Sequence, residues 1–415
     1  MTVSLTINGE RIGRDLERLA EFSDAPAPAV TRVLFTPVDL EARAFIRQLM
    51  EETGLRVRQD AAGNVFGRWE GSDGTLPAIA SGSHCDAIPH SGRYDGTVGV
   101  LGGIEAVSAL RQAGFQPRRA LEIVMFTSEE PTRYGIGCLG SRLMSGLLAP
   151  QIAAELRDAN GESFEVTRNA AGCSGTLDSV RLPRGNYQAF VELHIEQGPL
   201  LEREGVPIGI VTAIAAPAAL RATFSGEGGH AGAVLMPNRK DALLPAAELA
   251  LSVERAALDL GGADTVATVG VLDVHPRAIN SIPSRCEMTV DVRDIDLARR
   301  DAVLSRIREQ AVEIGTRRGI ETKQELINAD PPVTCDAAVI SAIETAARES
   351  GLPYKKMISR AYHDSLFMAQ IAPTSMIFIP CRGGVSHRPD EYATPAAISA
   401  GTAVLARTLA ALAME

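Results

Sequence analysis

His84, Asp95, Glu130, His194 and His387 each stand near the edge of an apolar run, and all but His194 adjoin a glycine, a proline or a serine, while Gly198-Pro199 follows His194 closely. Imidazole and carboxylate are ligand types for Zn²⁺, Mn²⁺ or Co²⁺, and they need no sulfur beside them. Two ions held about 3.5–4 Å apart need one group that touches both, and a carboxylate does so with its two oxygens. Asp95 is the expected bridge. His84 and His194 would complete one ion's set, and Glu130 and His387 the other's. Asp86 follows His84 by two residues. It is expected outside the set, as the acceptor that fixes the His84 tautomer. Glu129, next to Glu130, would take the proton of a water made acidic by the ions and pass it to a leaving nitrogen.

Each of these residues also has an ordinary reading. A histidine after a strand is a turn residue, Asp95-Gly96 is a helix cap, and Glu129-Glu130 before a proline is an acidic first turn. The joint pattern favours ligands, because three strands of one expected sheet end in them and an intervening helix begins with another. A second group lies further on. "GEGGHAGAV" puts His230 in a glycine-rich turn, "INSIPSR" offers Asn280, and "DVRDID" offers Arg293 at a strand end. Histidine, asparagine and arginine together suit a small substrate with a carboxylate and a developing oxyanion.

The elements that must position these groups can be read from the chain. Residues 14–22 and 39–54 read as helices, "NVFGRWE" and "PAIASGSH" as strands, and "TVGVLGGIEAVSAL" as a buried helix. "ALEIVMFTSEEP" and "YQAFVELHIEQGP" are apolar runs that break abruptly into polar residues. Strands alternating with helices predict an α/β sheet covered on both faces, with its ligand crevice at the carboxyl ends of the strands. Near residue 213 the character changes. "LRATFSGEGGHAGAV", a helix at 240–258, "TVATVGVLDVHP", "SRCEMTVDVRDID", a helix at 297–318 and "GIETKQELINA" give the order of a split-βαβ, ferredoxin-like α+β domain. A helix at 336–350, "TSMIFIP" and a final helix at 393–413 would return to the first sheet. The expected architecture is a discontinuous catalytic domain, 1–212 and 329–415, with a mixed, mostly parallel sheet between helices. A small domain, 213–328, is inserted into it.

The bulk properties of the 415 residues narrow the partners. A formal charge of −10 argues against nucleic acid, which needs clustered Lys and Arg. No apolar run is expected to reach the ~18 residues of a spanning helix, and the N-terminal stretch lacks the basic end and apolar core of a secretion signal. The six cysteines are scattered, with no CxxC, which suits reduced thiols in a cytoplasmic protein.

Taken together, "GSHCDAIPHSGRYDGTVGVLGGIEAV", "FTSEEPTRYGIGCLGSR", "ELHIEQGPLLE", "GGHAGAVLMPNRKDAL", "NSIPS", "DVRDID", "SRAYHDSLFMA" and "IPCRGGVSHRPDEY" resemble the two-metal amidases of the hydantoinase/carbamoylase type. These sit within a superfamily of co-catalytic metallopeptidases that includes aminoacylases. The resemblance implies the same ligand set, with Glu129 as base and Mn²⁺ favoured over Zn²⁺ or Co²⁺. It also implies that the inserted domain forms a homodimer and acts as a lid. His230, Asn280 and Arg293 would then serve the substrate, some of them in the partner subunit's site, with Gln197 and His363 at the pocket wall. Within the family, "DAIPHSGRYDG", "TAIAAPA" and "MISRAYHDSLFMA" resemble the ureidoglycolate amidohydrolases. The implied reaction releases glyoxylate, ammonia and carbon dioxide. His90 and Arg382-Gly383-Gly384 depart from that subgroup's local sequence. N-carbamoyl-L-amino acid hydrolases, allantoate amidohydrolases, a dipeptidase or aminoacylase, and a binding protein without turnover are the competing readings.

Overall fold

The computed structural model describes residues 5–415. The chain forms two compact units. One comprises residues up to Thr212 together with 335–359 and 363–415, and the other comprises 213–334 with 360–362.

In the first unit the central strands Thr374–Ile379, Tyr187–Ile195, Ala78–His84 and Leu121–Phe126 lie side by side in that order and run parallel. Antiparallel strands flank them: Val65–Trp69 beside Leu121–Phe126, then Arg56–Gln59, and Ile208–Ile214 beside Thr374–Ile379. Alternate residues of each central strand enter different cores. Ile79, Ile123 and Leu193 join one apolar cluster, while Ala80, Val124 and Phe190 join another. The first cluster is roofed by helices Gly9–Glu21, Pro37–Glu52, Thr97–Gln112, Ala337–Glu349 and Pro395–Met414. The second lies under three short helices between Leu139 and Ala170, which the sequence reading left unassigned.

The helix Thr97–Gln112 is buried at every position from Thr97 to Leu110. No side chain caps its start, where Gly96 holds φ +67°. A cap is worth about 1 kcal/mol. Burial of Val98, Val100, Leu101, Ile104, Val107 and Leu110 contributes about 1.5–3 kcal/mol for each side chain. Packing therefore fixes this helix, and the residues just before it are left available for chemistry.

One expectation needs correcting. The helix Pro395–Met414, with a mean hydropathy of 1.5, is long and apolar enough to cross a membrane. Its Ile398, Val404, Leu405, Leu409 and Leu412 are instead buried in the first cluster, so its apolarity is that of a core helix. All six cysteines are unpaired and buried.

The second unit is a four-stranded antiparallel sheet in the order Val266–His275, Arg285–Asp294, Ala216–Ser225, Glu321–Ala329. Helices Leu243–Leu260 and Leu297–Arg318 cover it, giving the split-βαβ arrangement. The first of these helices starts three residues later than 240, because the Asp241 carboxylate accepts the Leu243 N–H and Lys240 pairs with Glu227. The strand Ile208–Ile214 escaped the sequence reading; "VPIGIVTAIAAPAAL" is mostly apolar and runs almost directly into the next strand, Ala216–Ser225.

Candidate metal centre

Three parallel strands deliver the site. His84 is the last residue of Ala78–His84, and its register partner Phe126 ends the neighbouring strand. Glu129 and Glu130 follow in the next turn. His194 is the penultimate residue of Tyr187–Ile195. Asp95 precedes the buried helix, and its carbonyl oxygen accepts the Thr97 N–H at 2.7 Å. His387 comes from the loop after Thr374–Ile379 and is half exposed, while the other four ligand candidates are buried.

Asp95 occupies the middle. Its Oδ1 lies 3.2 Å from His194 Nε2 and 3.6 Å from His84 Nε2. Its Oδ2 lies 3.4 Å from His387 Nε2, which is 3.2 Å from Glu130 Oε1. One carboxylate therefore faces two different donor sets, one with each oxygen. His84, Asp95 and His194 form one candidate ion site, and Asp95, Glu130 and His387 form the other. Ligand atoms about 2.0–2.2 Å from a tetrahedral ion stand about 3.3–3.6 Å from one another. The observed spacings fit that requirement.

The tautomers fit as well. His84 Nδ1 donates to the Asp86 carbonyl oxygen at 3.0 Å, and His194 Nδ1 to the Ile195 carbonyl oxygen at 2.9 Å. Each ring therefore turns the lone pair of Nε2 toward Asp95. At His194 this lone pair also accepts the Gly96 N–H at 3.1 Å. A Cβ on Gly96 would lie 2.3 Å from His84 Nε2, so only glycine leaves room there.

Asp86 departs from its expected role. It fixes the His84 tautomer with its main-chain oxygen, and its carboxylate stands farther off, at 3.7 Å from Nδ1. That carboxylate instead accepts the N–H groups of Glu129, at 3.2 Å, and Glu130, at 3.0 Å. The two glutamates are thus held by consecutive main-chain bonds to one buried side chain.

Glu129 Oε2 lies 3.7 Å from His84 Nε2, and Oε1 receives the Cys138 thiol at 3.5 Å. Burial, with Glu130, Asp364 and Asp95 nearby, holds the Glu129 carboxyl well above its ordinary range against the pull of His84. Asp95 is opposite in character. Burial pushes it up, but hydrogen bonds from His194 and His84, when those rings carry a second proton on Nε2, outweigh this and hold it well below its ordinary range. His387 is pushed up to about 9 by its bond to Glu130, against burial.

Gln197 donates to Asp95 Oδ2 at 2.6 Å. His363 is buried with its ring centroid 4.6 Å from that of His194, and its Nε2 lies 3.0 Å from the Ser359 hydroxyl. Burial and the neighbouring His194 hold its pKa well below the ordinary value, so the ring is neutral. His363, His194 and Glu192 also lie close enough to suggest an ion site. Both Glu192 oxygens are already taken, by Ser83 Oγ at 2.7 Å and by the N–H and hydroxyl of Ser365. That carboxylate anchors the segment bearing His363. Backbone strain gathers here too. Ser128, Cys138, Gln197 and His387 all hold φ between 53° and 58°, a left-handed conformation that costs a non-glycine residue about 1–2 kcal/mol.

The second unit brings together two of the three residues expected for the substrate. His230 pairs with Ser281 on a short antiparallel ladder, and the Ala231 N–H donates to the Asn280 carbonyl oxygen. The Gly232 N–H donates to His230 Nδ1 at 3.1 Å, which leaves the ring proton on the exposed Nε2. Arg293 is elsewhere. It lies eight residues along its strand from Arg285, a span of about 26 Å, and is held by Asp291 at 2.9 Å. His90 is exposed on the strand Ala87–Ser91, and Arg382 stacks over Tyr392 at 4.9 Å, so neither joins the ligand cluster.

Residues 80–411 match the family described as peptidase family M20/M25/M40. The chain belongs to this family. It is 54% identical to the ureidoglycolate hydrolase of Oryza sativa over 99% of its own length and 86% of that protein's. It is 39% identical to the N-carbamoyl-L-amino acid amidohydrolase of Geobacillus stearothermophilus, covering 97% and 98% of the two chains. The crystal structure of AtUAH in complex with (S)-hydroxyglycine superposes with a TM-score of 0.91 at 52% identity, covering 99% of both chains. A hydantoinase/carbamoylase family amidase from Burkholderia multivorans gives 0.87 at 35% identity, again over 99% of each chain. The resemblance to amidases of this type is borne out.

Proposed function

We propose that this chain is a two-cation amidohydrolase that cleaves the ureido C–N bond of ureidoglycolate, releasing glyoxylate, ammonia and carbon dioxide. The observation that carries the reading is the Asp95 carboxylate, whose two oxygens face separate donor sets. Identity to the rice ureidoglycolate hydrolase supports the substrate. Two divalent cations, Mn²⁺ first and Zn²⁺ or Co²⁺ as alternatives, would supply Lewis acidity toward a poorly electrophilic urea-type carbonyl and lower the pKa of a water. His84, Asp95 and His194 would hold one, and Asp95, Glu130 and His387 the other.

Glu129 takes the proton of the attacking water and delivers it to the leaving nitrogen. His230 donates from Nε2 to the developing oxyanion, and Asn280 and Arg293 hold the substrate carboxylate. Gln197 and the neutral His363 line the pocket. His230 and Asn280 lie at one end of the second unit's sheet and Arg293 at the other, so one copy cannot present all three to one small molecule. Two copies can, and the unit that comprises 213–328 serves as dimerisation and lid domain. The edge strand Val266–His275 and the exposed Leu244, Leu251 and Leu258, spaced by seven on one helix, suit that contact. The buried free thiols fit a reducing compartment, the cytoplasm.

A substrate panel with each metal in turn tests the reading. Glyoxylate release from ureidoglycolate is the expected result. A free amino acid from carbamoyl-methionine, with no glyoxylate, would assign the chain to the carbamoyl amino acid hydrolases instead.

A further inference from the structure

Glu391 lies outside the ligand set, yet it is buried. Its Oε1 accepts the N–H groups of Tyr94, at 2.7 Å, and Asp95, at 3.1 Å. Its Oε2 accepts the hydroxyl of Ser386 at 3.0 Å. The Ser386 hydroxyl also reaches Asp95 Oδ2, which the Gln197 amide approaches from the other side. The bonds from Tyr94 N–H and Asp95 N–H to Glu391, and from Ser386 to Asp95, join the segment bearing Asp95 to the segment bearing His387, from residues nearly 300 positions apart in the chain. A Cβ on Gly92 would lie 2.4 Å from the Glu391 side chain, so the Asp95 segment is packed hard against it.

We infer that Glu391 is a positioning residue: it ties the Asp95 segment to the His387 segment and so sets the affinity of the site for its cations. Asp95 must serve two ions at once. A small rotation of its main chain moves both oxygens, and the N–H of Asp95 is the group that Glu391 grips. Ser386 adds a bond from the residue next to His387, so the two segments keep one spacing. The inference rests on the two-cation reading above. Loss of bonds that orient ligands commonly lowers metal affinity about 10–100-fold.

The test is calorimetric titration of chelator-treated full-length protein with Mn²⁺ and with Zn²⁺, with thermal unfolding of each cation-free variant as a folding control. Glu391→Ala is expected to weaken binding about 10–100-fold. Glu391→Gln keeps an oxygen for the two N–H groups and is expected to stay within about threefold of the unchanged protein, because the role is that of an acceptor. Gly92→Ala, which displaces Glu391 without touching a ligand, is expected to fall between them. Wild-type affinity in both Glu391→Ala and Gly92→Ala would overturn the inference. So would a Glu391→Gln protein as weak as Glu391→Ala, since charge and not position would then be at work. If the unchanged protein takes up no cation, the two-cation reading itself fails, a result distinct from either.

Discussion

His84 is almost fully buried, and its Nδ1 is bonded to main chain, whereas His230 stands exposed on a ladder of two short strands. The same contrast runs through both groups. The donors around Asp95 sit on strand ends and turns whose polar atoms are tied to backbone, to Asp86 or to Glu391. Asn280 lies on the exposed turn facing His230, and Arg293 is paired to a neighbour on its own strand. The first unit thus gathers a complete candidate ion-binding cluster within itself, and its positions are fixed by burial. The second unit offers residues that are chemically suited but held loosely, which is what groups that must come and go with substrate require.

Substitutions can break this contrast. Asp95→Asn should have the largest effect, because it weakens a ligand common to both sets: turnover falls to background, and metal analysis of the purified protein finds less than one ion per chain. Glu129→Gln should lower kcat by about 10²–10⁴ with metal content unchanged, since it removes proton transfer and leaves the ligands alone. Full activity in that variant would remove the base from the mechanism. His230→Ala should cost about 10²–10³ in kcat, leave metal content unchanged and leave the melting temperature within a degree or two, because its side chain is exposed. A loss of bound metal in this variant would dissolve the distinction between the two groups.

The smallest effect is one of pH. Without cations His387 carries a proton up to about pH 9, through its bond to Glu130 and despite burial. A ligand must be neutral, so filling the Glu130–His387 side expels that proton. Affinity should therefore rise with pH, by up to about tenfold per unit, and level off above about 9. Calorimetry in buffers of different ionisation enthalpy would count the proton released.

The candidate ligands His84, Glu130 and His194 are legible in sequence because strand ends are: an apolar run that stops on His or Glu marks both the fold and a place for chemistry. The buried helix after Asp95 could be read for the same reason. For Asp86, spacing places the residue beside His84 but does not say which of its oxygens turns inward. Glu391, Ser386 and Glu192 escaped because their partners lie 100 to 300 residues away in the chain. The three short helices after Leu139 lack a clear period, and their places are decided by the core they cover.

Asp86 gives one carboxylate oxygen to each of two consecutive peptide groups, those of Glu129 and Glu130. Whatever moves Glu129 therefore drags Glu130 with it. Their geometry is a single adjustable quantity, and a lineage that altered one would have to accept the matching change in the other.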